Sequence, residues 1–126
     1  MEEFTIFVKN KPGQLAKVCD VLYRNGVNIE SLANEGKRED GTIMIITNDA
    51  ATTRRALTEA RIPFEAKEVL VVKVRDRPGE LAKLANKIAA ENVNIESIYL
   101  LENEKFALRV NDMNKVRNAL REDVVA

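Results

Sequence analysis

The chain of 126 residues contains no histidine and a single cysteine, Cys19. Without histidine, Ser-His-Asp and Cys-His catalysis and zinc sites built on imidazole are excluded. One cysteine can form neither an internal disulfide nor a CxxC redox or metal motif, which fits a reducing compartment. Neither of the usual glycine-rich phosphate-binding loops occurs in the sequence. These absences indicate a binding protein rather than an enzyme, and they predict no catalytic residues, no cofactor and no metal.

The chain also lacks a net charge, a long apolar run and an aromatic-rich surface. Lys and Arg together number 20, as do Asp and Glu, so no basic field favours nucleic acid or an anionic membrane. No apolar run approaches the roughly 20 residues of a membrane span, and the first residues do not resemble a signal peptide. Four Phe, two Tyr and no Trp are few for an RNA-binding sheet. We therefore expect a cytoplasmic protein that binds neither nucleic acid nor a membrane.

What the sequence does contain is an internal repeat. Pro12–Leu32 aligns without a gap with Pro78–Ile98, 66 residues later, and ten of the 21 positions are identical. The shared motifs are PGxLAK and VNIES. A repeat of this length predicts two copies of one supersecondary unit, which we place at residues 1–67 and 68–126.

Each copy has the pattern of a βαββαβ unit. In the first copy an alternating strand containing Phe4 and Ile6 leads to a predicted helix over residues 13–25. A strand from Val27 follows, then a polar hairpin loop over residues 35–41, a third strand, a second helix and a fourth strand. Asn48-Asp49 offers an N-cap for that second helix, and Asn111-Asp112 repeats the cap in the second copy. The second copy repeats this order, but only residues 123–126 remain for its last strand. The predicted fold class is α+β: two ferredoxin-like units in tandem, with antiparallel sheets, helices on one face, and the second and fourth strands at the edges.

The sheet face turned away from the helices is predicted to be covered. Phe7 and Val71 place apolar side chains on this face, where a solvated antiparallel sheet would carry polar ones. Units of about sixty residues also bury too little surface to be stable alone. We therefore expect the other unit or a second chain to cover this face, and a homodimer or larger oligomer.

The repeated PGxLAK turn is the candidate binding site. A strand-to-helix turn with a glycine exposes the first amides of a helix at the positive end of its dipole, a place that favours a carboxylate. Asn10 and Asp76 lie on the same turns, and Asn28 and Asn94 open the next strand, where an amide can donate and accept. Such groups suit a small zwitterion. Pro-Gly turns and turn-capping asparagines are equally common as purely structural features, so that alternative stays open.

The motif [ND]-[KR]-P-G-x-L-A-K followed by V-N-I-E-S resembles the ACT domain, a small ligand-sensing module of amino-acid metabolism. The resemblance covers nearly the whole chain as two tandem copies. It implies binding of a free amino acid, regulation of a separate metabolic enzyme, and pairing of two units side by side into an eight-stranded sheet. We expect the first turn to be the better site. The residues predicted to bind the ligand are Asn10, Pro12, Gly13, Gln14, Leu15, Asn28, Ile29, Asp76, Pro78, Gly79, Glu80, Leu81, Asn94 and Ile95.

Two other functions remain as alternatives. The first is an interaction module that mediates assembly through its paired sheets and binds no ligand. The second is an acylphosphatase-like enzyme, which has this topology but needs an arginine and an asparagine around a phosphate loop that the Asn-Lys-Pro-Gly turn does not resemble.

Overall fold

The structure is a computed structural model that describes residues 1–126. The chain divides into two compact units, Met1–Lys67 and Glu68–Ala126. No helix in either unit combines the length and the apolar composition needed to cross a membrane.

The first unit has the predicted βαββαβ order. Its elements are β1 (Glu2–Lys9), α1 (Gln14–Arg24), β2 (Ile29–Lys37), β3 (Asp40–Thr47), α2 (Ala50–Glu59) and β4 (Glu65–Glu68). The strand order in the sheet is β2-β3-β1-β4, and β3 pairs antiparallel with both β1 and β2. The second and fourth strands are therefore the edges, as the sequence predicts.

The second unit repeats this arrangement without a complete fourth strand. Its elements are β5 (Leu70–Lys73), α3 (Glu80–Ala90), β6 (Ile95–Leu101), β7 (Lys105–Val110), α4 (Met113–Leu120) and a 3₁₀ turn (Arg121–Asp123). The strand order in its sheet is β5-β7-β6, with both pairings antiparallel. The ferredoxin-like fold class is confirmed for the tandem units.

Each unit has its own core, formed where alternate strand residues meet the apolar stripe of the helices. In the first unit Phe4, Ile6, Ile43 and Ile45 are fully buried against Leu22 of α1. In the second unit the matching positions carry Leu70, Val72, Leu108 and Ile88, among others. The period-two alternation of β1 and the helical spacing of α1 therefore identify the core correctly.

The sheet face away from the helices is apolar in part, as predicted. Val71 and Ala107 on this face of the second unit are buried, whereas Phe7 of the first unit is 61% exposed. Phe7 follows Ile6 in β1 and pairs with Thr42 of β3. Because successive side chains of a strand point to opposite faces, the Phe7 ring lies on the face opposite to Ile6.

Both β3–α2 and β7–α4 junctions have the predicted Asn-Asp caps. The Asp49 carboxylate accepts a hydrogen bond from the Thr52 amide at 3.0 Å and another from its hydroxyl at 2.6 Å. The Asp112 carboxylate accepts from the Lys115 amide at 3.2 Å. Such caps satisfy amides that a helix start otherwise leaves unpaired.

The predicted hairpin forms, but its loop is shorter than residues 35–41. The strands β2 and β3 run on until only Arg38 and Glu39 remain between them, and Arg38 has a positive φ of 59°. Gly36 and Gly41 are cross-strand partners inside the ladder rather than turn residues. Glycine is used at close contacts within a ladder as well as in turns, so the sequence alone does not distinguish the two roles.

The predicted fourth strand of the second unit, at residues 123–126, is only partly formed. The chain makes an isolated antiparallel bridge between Val124 and Val72. The Val71 amide donates to the Ala126 carbonyl at 2.9 Å, and the Val125 amide donates to the Val71 carbonyl at 2.7 Å. The three residues that follow the 3₁₀ turn are too few to build a full ladder.

Candidate functional site

The β1–α1 and β5–α3 turns have the same backbone geometry. Gly13 has φ 90° and ψ −9°, and Gly79 has φ 89° and ψ −14°, both left-handed conformations that favour glycine. A Cβ atom at either position would meet no atom within 4 Å. The turn therefore needs glycine for its backbone angles and not for lack of room within the chain.

Both glycines precede a helix start that no side chain caps. In the first unit, hydrogen bonding of α1 begins with the Lys17 amide donating to the Gly13 carbonyl. In the second unit the Lys83 amide donates in the same way to Gly79. Amides at such a helix start keep the donor capacity and the positive dipole end that suit a carboxylate.

Asn10 is engaged by the neighbouring hairpin. Its backbone amide donates to the Glu39 carbonyl at 2.8 Å, and its side-chain amide donates to the Arg38 carbonyl at 3.0 Å. The side chain lies against Gly36, where an added Cβ would come within 2.4 Å of the Asn10 Oδ1 atom. Asn10 thus stabilises the β2–β3 turn. This is a structural role, which the sequence analysis named as the alternative to ligand binding.

Asp76, at the matching position of the second unit, meets a different neighbour. Its backbone amide donates to the Glu104 Oε2 atom at 2.7 Å, and the Val74 amide donates to the Glu104 carbonyl at 2.8 Å. Two carboxylates, Asp76 and Glu104, are therefore present at this turn. A pair of carboxylates favours a cationic partner such as an ammonium group.

A cavity of about 380 Å³ opens at the same place in the second unit. Asp76 and Glu104 contribute its acidic groups, and Arg75 and Arg77 its basic ones. The apolar part of the wall consists of Val74, Leu81, Leu100, Leu101 and Phe106. A cavity with an apolar wall and a few charged groups is the usual form of a small-molecule site.

Asn28 and Asn94 lie at the other end of their sheets. The Asn28 amide donates to the Asn48 Oδ1 atom at 3.0 Å, and the Asn48 amide donates back to the Asn28 carbonyl at 3.1 Å. Asn94 and Asn111 exchange the same two bonds at 3.0 and 3.3 Å. These bonds tie the entry to β2 to the exit from β3, and the entry to β6 to the exit from β7.

Within a single unit, neither asparagine lies beside the helix start. Lys9, next to the Gly13 turn, pairs with Asp40 of β3. Lys37, the last residue of β2, pairs with the same Asp40 from the other side. Asn28 precedes the first residue of that strand, so it lies nine residue steps from Lys37, or roughly 30 Å at the rise of a strand. The reason is topological: a helix crossover brings the chain back to the opposite end of the sheet.

The remaining predicted residues divide between core and surface. Leu15, Ile29 and Ile95 are partly buried and pack against the cores of their units. Gln14 lines a smaller cavity of about 120 Å³ with Phe7 and Lys17, and Glu80 lines a cavity with Lys83 in the second unit. Pro12 and Pro78 are exposed, and Leu81 is 45% exposed.

The sequence analysis missed Glu104, and it missed the bonds that join Asn48 to Asn28 and Asn111 to Asn94. Asn48 and Asn111 precede the capping aspartates in both copies, so the repeated Asn-Asp pair was an available signal. Glu104 had no such signal, because it lies in a hairpin whose length differs between the copies. No group of three or more Cys, Asp or Glu side chains is arranged to hold a metal ion.

The ACT domain family model matches the chain twice, at residues 3–62 and 69–119. The chain belongs to the ACT domain family. ACT domains are in general regulatory domains that bind amino acids, and the tandem pair confirms the resemblance drawn from the PGxLAK and VNIES motifs.

Solved ACT structures show the same tandem fold. A protein from Bacteroides thetaiotaomicron is 27% identical, with a TM-score of 0.90, over 99% of this chain and 91% of that one. The regulatory subunit of aspartate kinase from Thermus thermophilus is 19% identical, with a TM-score of 0.69, over 95% of this chain and 87% of that one. Its counterpart from Thermus flavus is 21% identical, with a TM-score of 0.61 over the same shares. The comparison with curated proteins gave no match.

Proposed function

We propose that this ACT protein is a sensor of a free amino acid, which it binds in the cavity at the β5–α3 turn. The observation that carries the proposal is the meeting of Asp76, Glu104 and the uncapped start of α3 at one cavity with an apolar wall. The sequence favours the first turn as the better site, but the second turn has both the cavity and the additional carboxylate.

The charges of the cavity match those of a zwitterion. The carboxylates of Asp76 and Glu104 would accept hydrogen bonds from the ammonium group, which are charge-assisted and therefore stronger than neutral ones. The Glu80 amide already donates to the Arg77 carbonyl at 3.2 Å, so the next amides of α3, from Leu81 onward, would donate to the ligand carboxylate. Leu81, Leu100 and Phe106 would then contact the ligand side chain.

We further propose that the protein is not an enzyme and that ligand binding regulates a separate metabolic enzyme. Support comes from the general regulatory role of ACT domains and from the fold shared with the regulatory subunit of aspartate kinase from Thermus thermophilus. In that arrangement the amino acid would stabilise one of two conformations or assemblies of the sensor.

Assembly into a homodimer or larger oligomer is the third part of the proposal. The edge strand β6 has Ile98 at 42% and Leu100 at 68% exposure, next to Leu81 of α3 at 45%. An edge strand with exposed apolar residues invites pairing with another strand. Pairing of units side by side would also bring Asn28 or Asn94 of one unit to the helix start of another, as the predicted site requires.

Asp76→Asn tests the binding site with a variant that copies the first unit, which has Asn10 there. Calorimetry against the common amino acids first identifies the ligand. Losing the charged acceptor should cost about 1.5–3 kcal/mol, or roughly ten- to a hundredfold in affinity. Asn10→Asp is the matched control and should leave the affinity unchanged. Equal affinities for the wild type and Asp76→Asn would overturn the proposed site. If no amino acid binds, the sensor hypothesis is overturned and the interaction module is the favoured function.

A further inference from the structure

A second cavity of the second unit is lined mainly by basic side chains. It measures about 260 Å³ and lies where β5, α3 and the C-terminal 3₁₀ turn meet. Its five basic residues are Lys73, Arg75, Arg77, Lys83 and Lys87, and its acidic ones are Glu80 and Asp123. The chain as a whole has no net charge, so the cavity is a local concentration of positive charge.

The repeat shows that two of the five basic residues are specific to the second unit, whereas Arg75, Arg77 and Lys83 have basic counterparts in the first. At a separation of 66 residues, Lys73 corresponds to Phe7 and Lys87 to Val21 of the first unit. The cavity of the first unit that includes Phe7 measures about 120 Å³, and its only basic side chains are Lys17 and Arg61. The shared fold therefore does not require basic residues at these two positions.

Few of these charges are neutralised by the chain itself. Arg77 forms an ion pair with Glu80 at 3.5 Å, and both side chains are partly exposed, so the pair is worth little. With five basic and two acidic groups, the lining has a formal charge of +3. Like charges grouped around a concave surface attract a counter-ion of several negative charges.

We propose that this cavity binds a small polyanion with a di- or triphosphate group, in addition to the amino-acid site. The volume is near the lower end for ligand pockets, which fits a small molecule better than a protein segment. Lys ammonium groups act as point charges toward phosphate, and Arg guanidinium groups can donate two hydrogen bonds to it. The proposal goes beyond amino-acid sensing, because it gives the second unit a second ligand. This ligand carries a net negative charge, whereas the zwitterion carries none.

The two cavities of the second unit share some residues but can be tested apart. Val74, Arg75 and Arg77 line both, whereas Lys73, Lys83 and Lys87 line only the basic one. Variants of these three lysines therefore test the polyanion without removing a residue of the proposed amino-acid site. Failure of one proposal is thus distinguishable from failure of the other.

The probes are inorganic tripolyphosphate and ATP, each without divalent cations, titrated into the full chain by calorimetry. Lys83→Ala should weaken binding by about tenfold, since it removes a charged donor. Lys17→Ala, at the matching position of α1, is the control and should leave the affinity unchanged. Lys73→Phe with Lys87→Val, which copies the first unit, should weaken binding further and flatten its dependence on salt.

Glu80→Gln supplies a variant with the opposite sign. It copies Gln14 of the first unit and removes one of the two acidic groups, so tripolyphosphate should bind several-fold more tightly. Equal affinity for both probes indicates recognition of the phosphate chain alone, and tighter ATP binding indicates a nucleoside phosphate. The proposal is overturned if neither probe binds, or if Lys83→Ala and Lys17→Ala have the same effect in variants whose melting shows that they fold.

Discussion

At the scale of single residues, the two copies show how one substitution changes the chemistry of a conserved backbone. Gly13 and Gly79 have nearly identical angles, so the turn itself is the same in both units. Asn10 uses its side chain to bond the hairpin carbonyl of Arg38, whereas Asp76 shares its turn with the Glu104 carboxylate. A neutral amide has become part of an acidic pair, and with it a group suited to a cation.

Asp49 allows a prediction about pH at this scale. The Thr52 hydroxyl, followed by the Thr52 amide, stabilises the carboxylate and lowers the pKa of Asp49 from its ordinary value of 3.8. Because the pKa is lower in the folded state, the stabilisation is fully present above the unfolded-state pKa and is lost as the pH falls through the folded-state pKa. Asp49→Ala should therefore lower the melting temperature at pH 7, and the difference from the wild type should narrow below about pH 4.

Asp49→Asn is the control for that measurement. Asparagine is also a good helix cap but does not titrate, so this variant should show a weaker loss of stability between pH 5 and pH 2 than the wild type. Thermal melts by circular dichroism across this range suffice. A difference between Asp49→Ala and the wild type that stays constant down to pH 2 would contradict the argument.

At the scale of elements, the β2–β3 hairpin depends on a contact between one of its glycines and a side chain that lies just after the end of β1. Gly36 leaves the space that the Asn10 side chain occupies while it bonds Arg38. We predict that Gly36→Ala displaces this side chain and that Asn10→Ala removes the bond, each costing about 1 kcal/mol of unfolding free energy. The two changes should not add, because both remove the same interaction.

Urea unfolding of the two single variants and the double variant measures this coupling. In the Asn10→Ala background, Gly36→Ala should cost little, since the side chain it would displace is absent. Gly41→Ala is a comparison within the same ladder, where an added Cβ meets the Glu35 carbonyl at 3.3 Å and no Asn10 side-chain atom closely. Additive costs for Gly36→Ala and Asn10→Ala would show that the glycine acts independently of Asn10.

At the scale of the whole molecule, the exposed apolar residues of the edge strand β6 lead to a prediction about assembly. Leu100→Glu places a charge on the proposed pairing edge and should convert the oligomer to a monomer, because burying an unpaired charge is costly. Tyr23→Glu is the control, since Tyr23 is 82% exposed and lies on helix α1 of the first unit rather than on the strand β6. Sedimentation at micromolar concentration distinguishes the two. A monomeric wild type, or a Leu100→Glu variant that remains oligomeric, would contradict the proposed pairing.

Much of this protein follows from local sequence alone. The 66-residue repeat indicated two units, the alternate positions of Phe4 and Ile6 indicated the core face of β1, and Pro-Gly before an apolar helical stripe indicated the turn and α1. The Asn-Asp pairs indicated the starts of α2 and α4. These features were predictable because each depends on neighbouring residues and on the periods of strands and helices.

Tertiary structure decided the rest. The pairing of β2 with β3 places Gly36 opposite Gly41, and the side chain of Asn10, which is distant in the sequence, lies against Gly36. The separation of Asn28 from the Gly13 turn depends on how the crossover helix returns the chain to the far end of the sheet. The proximity of Asp76 to Glu104, 28 residues apart, depends on the register of three strands. Periodicity determines which face a residue takes, but only the paired strands determine which distant residues become neighbours.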